Sequence, residues 1–227
     1  MNPGAPGVER PSVKICGLKR REDAELAVGA GADFLGVVLV PGTPRALSPE
    51  EARDVLAGLE APAVSVLADL PVGEAVSSAE TVGAKILQLH GGESPAYAAE
   101  LRDEGPWEIW KALRVREVGG LLRALDAFAG MADGILLDGW HPRFRGGSGT
   151  VFSWQEVEGV RDRFPEGLRF IAAGGLEPDN VEEAIIRLNP HVVDVSSGVE
   201  ERPGFKSPEK VRAFISNVHR AGKGERG

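Results

Sequence analysis

The sequence predicts a single (βα)8 barrel, an α/β fold in which eight parallel strands alternate with helices around one core. Eight short apolar runs recur along the 227 residues, and amphipathic stretches lie between them. Eight runs in 227 residues leave about 28 residues for each, which suits a strand, a helix and short connections. The total length also falls within the roughly 200 to 250 residues that such barrels commonly occupy.

The predicted strands are aliphatic or β-branched and are bounded by Gly, Pro or Asp, as expected for strands buried on both faces. They are VKICGL (13–18), DFLGVVLV (33–40), APAVSVLA (61–68), KILQLH (85–90), WEIWKALR (107–114), DGILLD (133–138), LRFIAAGG (168–175) and HVVDVSS (191–197). An open doubly wound sheet is the alternative. The regular spacing and the absence of a GxGxxG turn after the first strand favour the closed barrel.

Amphipathic stretches between these runs predict the helices. They include REDAELAVGAGA, SPEEARDVLAGL, SPAYAAELRDE, EPDNVEEAIIRL and SPEKVRAFISNV. Two of them begin with a strong capping signature, in which Ser48 or Ser207 precedes a proline and an acidic residue. The Pro/Gly-rich segment 1–11 and the charged, glycine-rich segment 220–227 predict flexible tails on a catalytic domain that spans 12–219.

Composition limits the partners and the compartment. The net charge of -8 and the pI near 5.2 disfavour nucleic acids and anionic membranes, because the protein has no basic field to attract polyanions. The single cysteine, Cys16, excludes an internal disulfide and a thiolate metal cluster, and it fits a reducing cytoplasm. No apolar run is long enough to span a bilayer, so we expect a cytoplasmic protein. The four histidines are not clustered, so no metal site is predicted.

Polar residues stand at the carboxyl ends of four predicted strands, where the active site of a barrel is built. They are Cys16, His90, Asp138 and Ser196, and period-two alternation places each on the inward face of its strand. Each also has a structural interpretation: a lone cysteine often packs in a core, and a strand-end Asp or His often caps a turn or binds a carbonyl. Their convergence on one mouth favours function.

Two charged residues lie on the same inward faces, each two positions before a member of this set. Lys14 and Asp194 lie on the first and last strands, which become neighbours when the barrel closes. A buried unpaired charge is costly, so we expect the two to pair beneath the site. The alternative is that Lys14 reaches a ligand.

Glycine-rich loops after the last two strands predict a phosphate site. Gly174 and Gly175 follow the seventh strand, and Ser196, Ser197 and Gly198 follow the eighth. Such loops offer N–H and hydroxyl donors and close backbone approach, and this is where barrels recurrently bind phosphate. The alternative is a pair of tight turns that need positive φ.

Two further loop residues are candidate ligand contacts. Gly147 lies in the segment GGSGT (146–150) after the sixth strand, which is expected to close over a ligand or else to be merely flexible. Arg45 follows the second strand in GTPR, where a guanidinium can hold a carboxylate bidentately, although many loop arginines are only solvated.

At these residues the chain resembles the phosphoribosylanthranilate isomerase family, a family of (βα)8 barrels of tryptophan biosynthesis. The resemblance runs from about residue 13 to 215. It is carried by KICGLKRREDA, GADFLGVVLVPGTPRALSPEEA, LQLHG, LLDG with GGSGTVFSW, AAGGLEPDNVEEAI and VDVSSGVEERPGFKSPEKVRAFI. The first and last of these segments are highly specific in combination.

The resemblance implies an Amadori rearrangement of N-(5-phosphoribosyl)anthranilate, without cofactor or metal. It implies Cys16 as the general base, Asp138 as the general acid and Arg45 as the ligand of the anthranilate carboxylate. It also implies that the loops with Gly174, Gly175, Ser196, Ser197 and Gly198 hold the phosphate. His90 and Gly147 complete the predicted substrate-binding set because of their positions at a strand end and in a glycine-rich loop. The expected partner is a small phosphorylated substrate, and the expected assembly is a monomer or a homodimer.

The chemistry agrees with these residue types. Opening of the ribose ring needs a proton on the ring oxygen, so Asp138 must carry one when it acts. Cys16 must act as a thiolate, which requires its pKa to be lowered by positive charge from Lys14 or from the iminium intermediate.

The chain departs from the family pattern in loops 3, 4 and 6. It reads VLAD at 66–69, Gly92 after LHG, Gly139 after the acid, and Val151 and Ser153 in the glycine-rich segment. These loops are expected to affect how the anthranilate part of the substrate fits the site. Two alternatives remain open: another phosphosugar isomerase or epimerase, and a non-catalytic barrel that binds a phosphorylated ligand.

Overall fold

The computed structural model describes residues 10–114, 118–138 and 159–222, and in them the predicted closed barrel is confirmed. Eight strands pair in chain order, all parallel, and β1 pairs with both β2 and β8. The strands are β1 Ser12–Ile15, β2 Phe34–Val38, β3 Ala63–Leu67, β4 Ile86–Leu89, β5 Glu108–Arg114, β6 Gly134–Asp138, β7 Arg169–Ala172 and β8 Val192–Val195. Each lies at one of the eight apolar runs of the sequence.

Seven α-helices cover the strands in the part of the chain that the structure describes. They are α1 Arg21–Ala30, α2 Pro49–Leu56, α3 Val72–Val82, α4 Pro95–Asp103, α5 Val118–Phe128, α6 Val181–Leu188 and α7 Pro208–Gly222. Ser48 forms a capping box with Glu51 at the start of α2, and the Ser207 hydroxyl accepts from the Lys210 amide at the start of α7. The two strongest capping signatures therefore mark real helix starts.

Two helices lie outside the stretches that the sequence patterns single out. Helix α3 begins after Pro71 without a side-chain cap, and α5 contains two adjacent glycines, Gly119 and Gly120, which are poor helix formers. Helix α7 also runs three residues into the segment 220–227 that was expected to be a tail. At this end the Arg10 guanidinium lies 2.6 Å from His219 Nε2 and binds Asp33, so contacts with the start of the chain accompany the extra turn.

The core has two parts. Outward-facing strand residues pack against the helices in one large cluster, as shown by Val13, Ile15, Leu35 and Val37. A smaller cluster contains strand residues of the opposite orientation, with Trp110 as its largest member, and it fills the barrel interior. No helix among the described residues is both long enough and apolar enough to cross a membrane.

A short hairpin after β8 was not predicted. Strand β9 spans Glu200–Arg202, strand β10 spans Phe205–Lys206, and the two pair antiparallel. The segment EERPGFK looks like a solvated loop because it is charged and contains Pro and Gly. The fold nevertheless buries Glu200 and Lys206, and this hairpin carries both charges to the rim of the barrel mouth.

Candidate active site

The carboxyl ends of the strands surround a cavity of about 460 Å³, a volume typical of small-molecule sites. Most of the predicted site residues line it: Cys16, Arg45, His90, Asp138, Gly174, Gly175, Ser196 and Ser197. Gly198 lies next to the lining residues in the loop after β8, and Gly147 lies outside the described residues. Among the residues described, no group of three acidic, His or Cys side chains is arranged to hold a metal ion.

Cys16 directly follows β1 and borders the cavity with only 7% of its surface exposed. Its place depends on Gly36 of the neighbouring strand β2. A Cβ atom at Gly36 would lie 2.9 Å from Cys16 Sγ and 3.1 Å from Lys14 Cε. The absence of a side chain at Gly36 therefore leaves room for both side chains to point into the barrel.

The predicted ion pair beneath the site is confirmed. Lys14 lies opposite Asp194 in the β1–β8 register, and its Nζ donates to Asp194 Oδ2 at 3.0 Å. The same ammonium donates to Gln88 Oε1 at 2.8 Å. Burial by itself lowers the pKa of Lys14, but Asp194 and Cys16 outweigh it, so the pKa is raised and the ammonium stays charged.

The pKa of Cys16 does not follow the expectation that Lys14 lowers it. Burial raises the pKa of the Cys16 thiol, and it outweighs the lowering effect of Lys14 and Lys206. Asp194 adds to the rise, because its negative charge disfavours a thiolate. The net pKa is therefore above the ordinary value, and positive charge from Lys14 is not enough to lower it.

His90 and Asp138 contact each other across the mouth. His90 Nε2 lies 3.2 Å from Asp138 Oδ2, and His90 Nδ1 lies 3.1 Å from Gln88 Nε2. Gln88 is 1% exposed and binds Lys14 with its other amide atom. The period-two pattern placed Gln88 on the inward face but gave it no role; a buried amide among apolar strand residues was the available signal.

Arg45 reaches the mouth and is held by the hairpin. Its Nε and Nη2 donate to the two carboxylate oxygens of Glu200 at 2.8 and 2.6 Å. Lys206 Nζ donates to Glu200 Oε1 at 3.0 Å and to the Ser196 carbonyl at 3.1 Å. Burial opposes ionisation of Glu200, but Arg45 and Lys206 lower its pKa below the usual range. Two cations on one carboxylate leave net positive charge beside the cavity, which favours an anionic ligand.

Sequence reasoning missed Glu200 and Lys206. Both stand in the charged hairpin segment, where a surface loop is the ordinary interpretation. No pattern in this hairpin segment distinguishes its buried charges from exposed ones, so the contact between the hairpin and Arg45 appears only in the folded chain.

The two glycine-rich loops lie against each other. A Cβ atom at Gly198 would lie 1.9 Å from the Leu176 carbonyl oxygen, so the loops after β7 and β8 approach more closely than any side chain allows. Gly174 and Gly175 have φ of 81° and 70°, as the turn interpretation requires. Ser196 Oγ is buried, with no hydrogen-bond partner among the described residues. The two loops therefore have both predicted features: tight turns with positive φ and a hydroxyl group beside the cavity.

A comparison with protein families matches residues 13–217 to the family described as N-(5′-phosphoribosyl)anthranilate isomerase. This chain belongs to the phosphoribosylanthranilate isomerase family. A phosphoribosylanthranilate isomerase of Trichlorobacter lovleyi is 43% identical over 214 residues, which cover 92% of this chain and 98% of that protein. The match therefore covers nearly the whole length of that relative.

Solved structures of the family have the same fold. Monomers of the dimeric phosphoribosylanthranilate isomerase from Thermotoga maritima superpose with a TM-score of 0.79 at 33% identity, covering 92% of this chain and 98% of theirs. A phosphoribosylanthranilate isomerase in complex with reduced 1-(o-carboxyphenylamino)-1-deoxyribulose 5-phosphate also gives 0.79 at 33% identity, with 95% and 100% covered. The barrel, its length and its closure are therefore those of the family.

Proposed function

We propose that this protein catalyses the Amadori rearrangement of N-(5′-phosphoribosyl)anthranilate to 1-(2-carboxyphenylamino)-1-deoxyribulose 5-phosphate, with Asp138 as general acid and Cys16 as general base. The observation that carries the assignment of roles is that Cys16 and Asp138 line one cavity with the glycine-rich loops after β7 and β8. Family membership favours this reaction over another phosphosugar isomerase and over a non-catalytic binding barrel.

Asp138 starts the reaction. Its carboxyl group transfers a proton to the ring oxygen of the ribose, the bond between that oxygen and C1′ breaks, and the nitrogen lone pair forms an iminium with C1′. The side chain is one-third exposed at the mouth and contacts His90. It is therefore held in place while it can still reach a ligand in the cavity.

Cys16 completes the rearrangement. Its thiolate removes the proton from C2′, and the electrons of the C–H bond form a C1′=C2′ bond and neutralise the iminium nitrogen. The resulting enolamine then tautomerises to the ketone. Since burial raises the pKa of Cys16, the positive iminium is the charge that favours its thiolate when the base is needed.

The remaining residues bind the two ends of the substrate. Arg45 holds the anthranilate carboxylate, and Glu200 fixes the plane of its guanidinium beforehand. The loops with Gly174, Gly175, Ser196, Ser197 and Gly198 hold the phosphate; His90 contacts the substrate near Asp138, and Gly147 contributes from its loop. The protein is a monomer or homodimer, and the family member from Thermotoga maritima is described as dimeric. It acts in the cytoplasm, since a single cysteine fits a reducing compartment.

The test is turnover of phosphoribosylanthranilate, followed by the loss of its fluorescence. Asp138→Asn and Cys16→Ser should each lower kcat by about 100- to 10,000-fold, the range that general acid–base groups contribute, while substrate binding is retained. Asp54→Asn is the matched control, because Asp54 is an exposed aspartate on α2. Undiminished turnover in Asp138→Asn or in Cys16→Ser would disprove the assigned role.

A further inference from the structure

We propose that Gln88 is a positioning residue that fixes the tautomer of His90, so that the proton of Asp138 is kept for the substrate. This inference rests on the proposed role of Asp138 as general acid. Gln88 lines the cavity below His90, but it needs no contact with substrate for this role. It acts through a chain of hydrogen bonds that runs from Lys14 to Asp138.

The orientation of the Gln88 amide follows from its two neighbours. Lys14 carries a buried ammonium, which has only donors, so the Gln88 atom 2.8 Å away must be the carbonyl oxygen Oε1. Rotating the amide would turn its NH2 group toward the ammonium and break this bond. Because Asp194 keeps Lys14 charged and in place, the amide has one stable orientation.

This orientation fixes His90. The NH2 group of Gln88 then faces His90 Nδ1 at 3.1 Å, and an NH2 group can only donate, so Nδ1 must accept. A neutral imidazole with an unprotonated Nδ1 carries its proton on Nε2. His90 therefore donates from Nε2 to Asp138 Oδ2, 3.2 Å away.

The direction of that last bond decides where the acid carries its own proton. With Oδ2 accepting from His90, a protonated Asp138 favours the proton on Oδ1, because the carbonyl-type oxygen is the better acceptor. With the opposite tautomer, His90 Nε2 would have a lone pair and would accept the Asp138 proton itself. Gln88 therefore prevents His90 from competing with the substrate for that proton.

The first test reads the tautomer without activity. Proton–nitrogen correlation spectra of the histidine rings at mildly alkaline pH, where imidazoles are neutral, distinguish a protonated ring nitrogen from an unprotonated one. We expect an unprotonated Nδ1 and a protonated Nε2 for His90, assigned by comparison with His90→Asn. His191 serves as an internal reference, because its Nδ1 accepts the Phe170 amide at 2.8 Å. A protonated Nδ1 on His90 in the parent protein would overturn the proposal.

Two variants of Gln88 then separate positioning from simple packing. In Gln88→Glu the carboxylate still accepts from Lys14 but also accepts from His90, so the ring proton should move to Nδ1. In Gln88→Met both hydrogen bonds are lost, and His90 should sample both tautomers. The His191 signals should be unchanged in both variants.

Kinetics supply the second arm. We expect Gln88→Glu to lower kcat about 10- to 100-fold, a part of what a general acid contributes, with KM nearly unchanged, and Gln88→Met to lower it less. A purely structural role predicts the reverse order, because Glu keeps the bond to Lys14 and Met does not. A Glu variant that is milder than the Met variant would overturn the proposal. If the parent protein does not isomerise phosphoribosylanthranilate, the proposed function fails while the spectra still decide the tautomer.

Discussion

The Cys16 thiol is subject to two opposing effects, burial and neighbouring positive charge. Lys14 and Lys206 both favour its thiolate, but the loss of solvation is larger, so the pKa is raised. A base of this kind is mostly protonated at neutral pH until positive charge enters the cavity. The iminium intermediate of the proposed reaction brings that charge to the site at the step where Cys16 acts.

The raised pKa of Cys16 can be measured by alkylation, because the chain has no other cysteine. The rate of modification by iodoacetamide should rise with a midpoint above that of a free thiol, whose pKa is about 8.5, since only the thiolate reacts. In Lys206→Met the midpoint should move further up, because Lys206 lowers the pKa of Cys16. Mass spectrometry measures the labelled fraction at each pH.

Cys16→Ser controls for labelling elsewhere, and a small model thiol in the same buffers gives the reference midpoint. The midpoint, rather than the absolute rate, is compared, because burial also slows access of the reagent. A midpoint at or below that of the model thiol would contradict the argument that burial dominates.

At the scale of elements, the loops after β7 and β8 form one surface because Gly198 has no side chain. Gly198 is the middle residue of the short 3₁₀ helix Ser197–Val199, and the Leu176 carbonyl occupies the place that a Cβ atom would need. The hairpin β9–β10 follows at once and carries Glu200 and Lys206 toward Arg45. The position of one glycine thus affects both the proposed phosphate loops and Arg45, the proposed ligand of the substrate carboxylate.

Gly198→Ala should push these loops apart, because its Cβ would lie 1.9 Å from a backbone oxygen that cannot rotate away. We expect kcat/KM to fall about 10- to 100-fold, as for displacements of about 1 Å at a site, mainly through a higher KM. Inorganic phosphate should also inhibit the variant more weakly than the parent.

Gly73→Ala is the matched control, because beyond its chain neighbours and the backbone of α3 no atom lies within 4 Å of the added methyl group. It should leave kcat/KM unchanged and circular dichroism should show both variants folded. Equal phosphate inhibition in Gly198→Ala and the parent would argue against a phosphate site in these loops.

At the scale of the whole molecule, the barrel encloses several ion pairs near its carboxyl-terminal mouth. Besides the Lys14–Asp194 pair, Glu93 binds Lys111 at 2.8 Å and both side chains are buried. The Glu93 carboxylate also accepts from the amides of Asp69 and Gly91, which fixes the loop after β4 against the loop after β3. Burial opposes its ionisation, but Lys111 and the backbone amides of Asp69 and Glu93 lower the pKa of Glu93 overall.

The lowered pKa of Glu93 predicts a pH-dependent contribution to stability. The contribution is complete above the unfolded-state pKa of about 4.3 and is lost as pH falls through the lower folded-state pKa. Glu93→Gln should therefore lower Tm at about pH 7, and the gap to the parent should narrow toward about pH 3. Thermal unfolding followed by circular dichroism gives both values. Glu60→Gln, at an exposed loop residue, should show no such gap, and a gap that widens in acid would contradict the linkage.

Much of the fold follows from local patterns. Residue alternation in VKICGL and KILQLH placed Lys14, Cys16, Gln88 and His90 on inward faces, and three of these four line the cavity while Lys14 lies beneath it. The Lys14–Asp194 pair followed from chain order, since closure makes the first and last strands neighbours. Helix α3 is not among the helical stretches that the sequence patterns single out, and its start at Pro71 has no side-chain cap.

The sequence by itself determined the eight strands, the closed barrel and the strand ends that carry Cys16 and Asp138, because side-chain alternation and strand length are local properties. Only the tertiary structure decided the partner of Arg45, the link from Gln88 to His90 and the direction of the Cys16 pKa shift. Arg45 and Glu200 are 155 residues apart in the chain, and the orientation of the Gln88 amide depends on Lys14, 74 residues away. The pKa of a buried group depends on the cost of desolvation and on the interactions with every neighbouring charge and hydrogen-bond partner. These neighbours come from several strands and loops, so a local sequence pattern does not contain them.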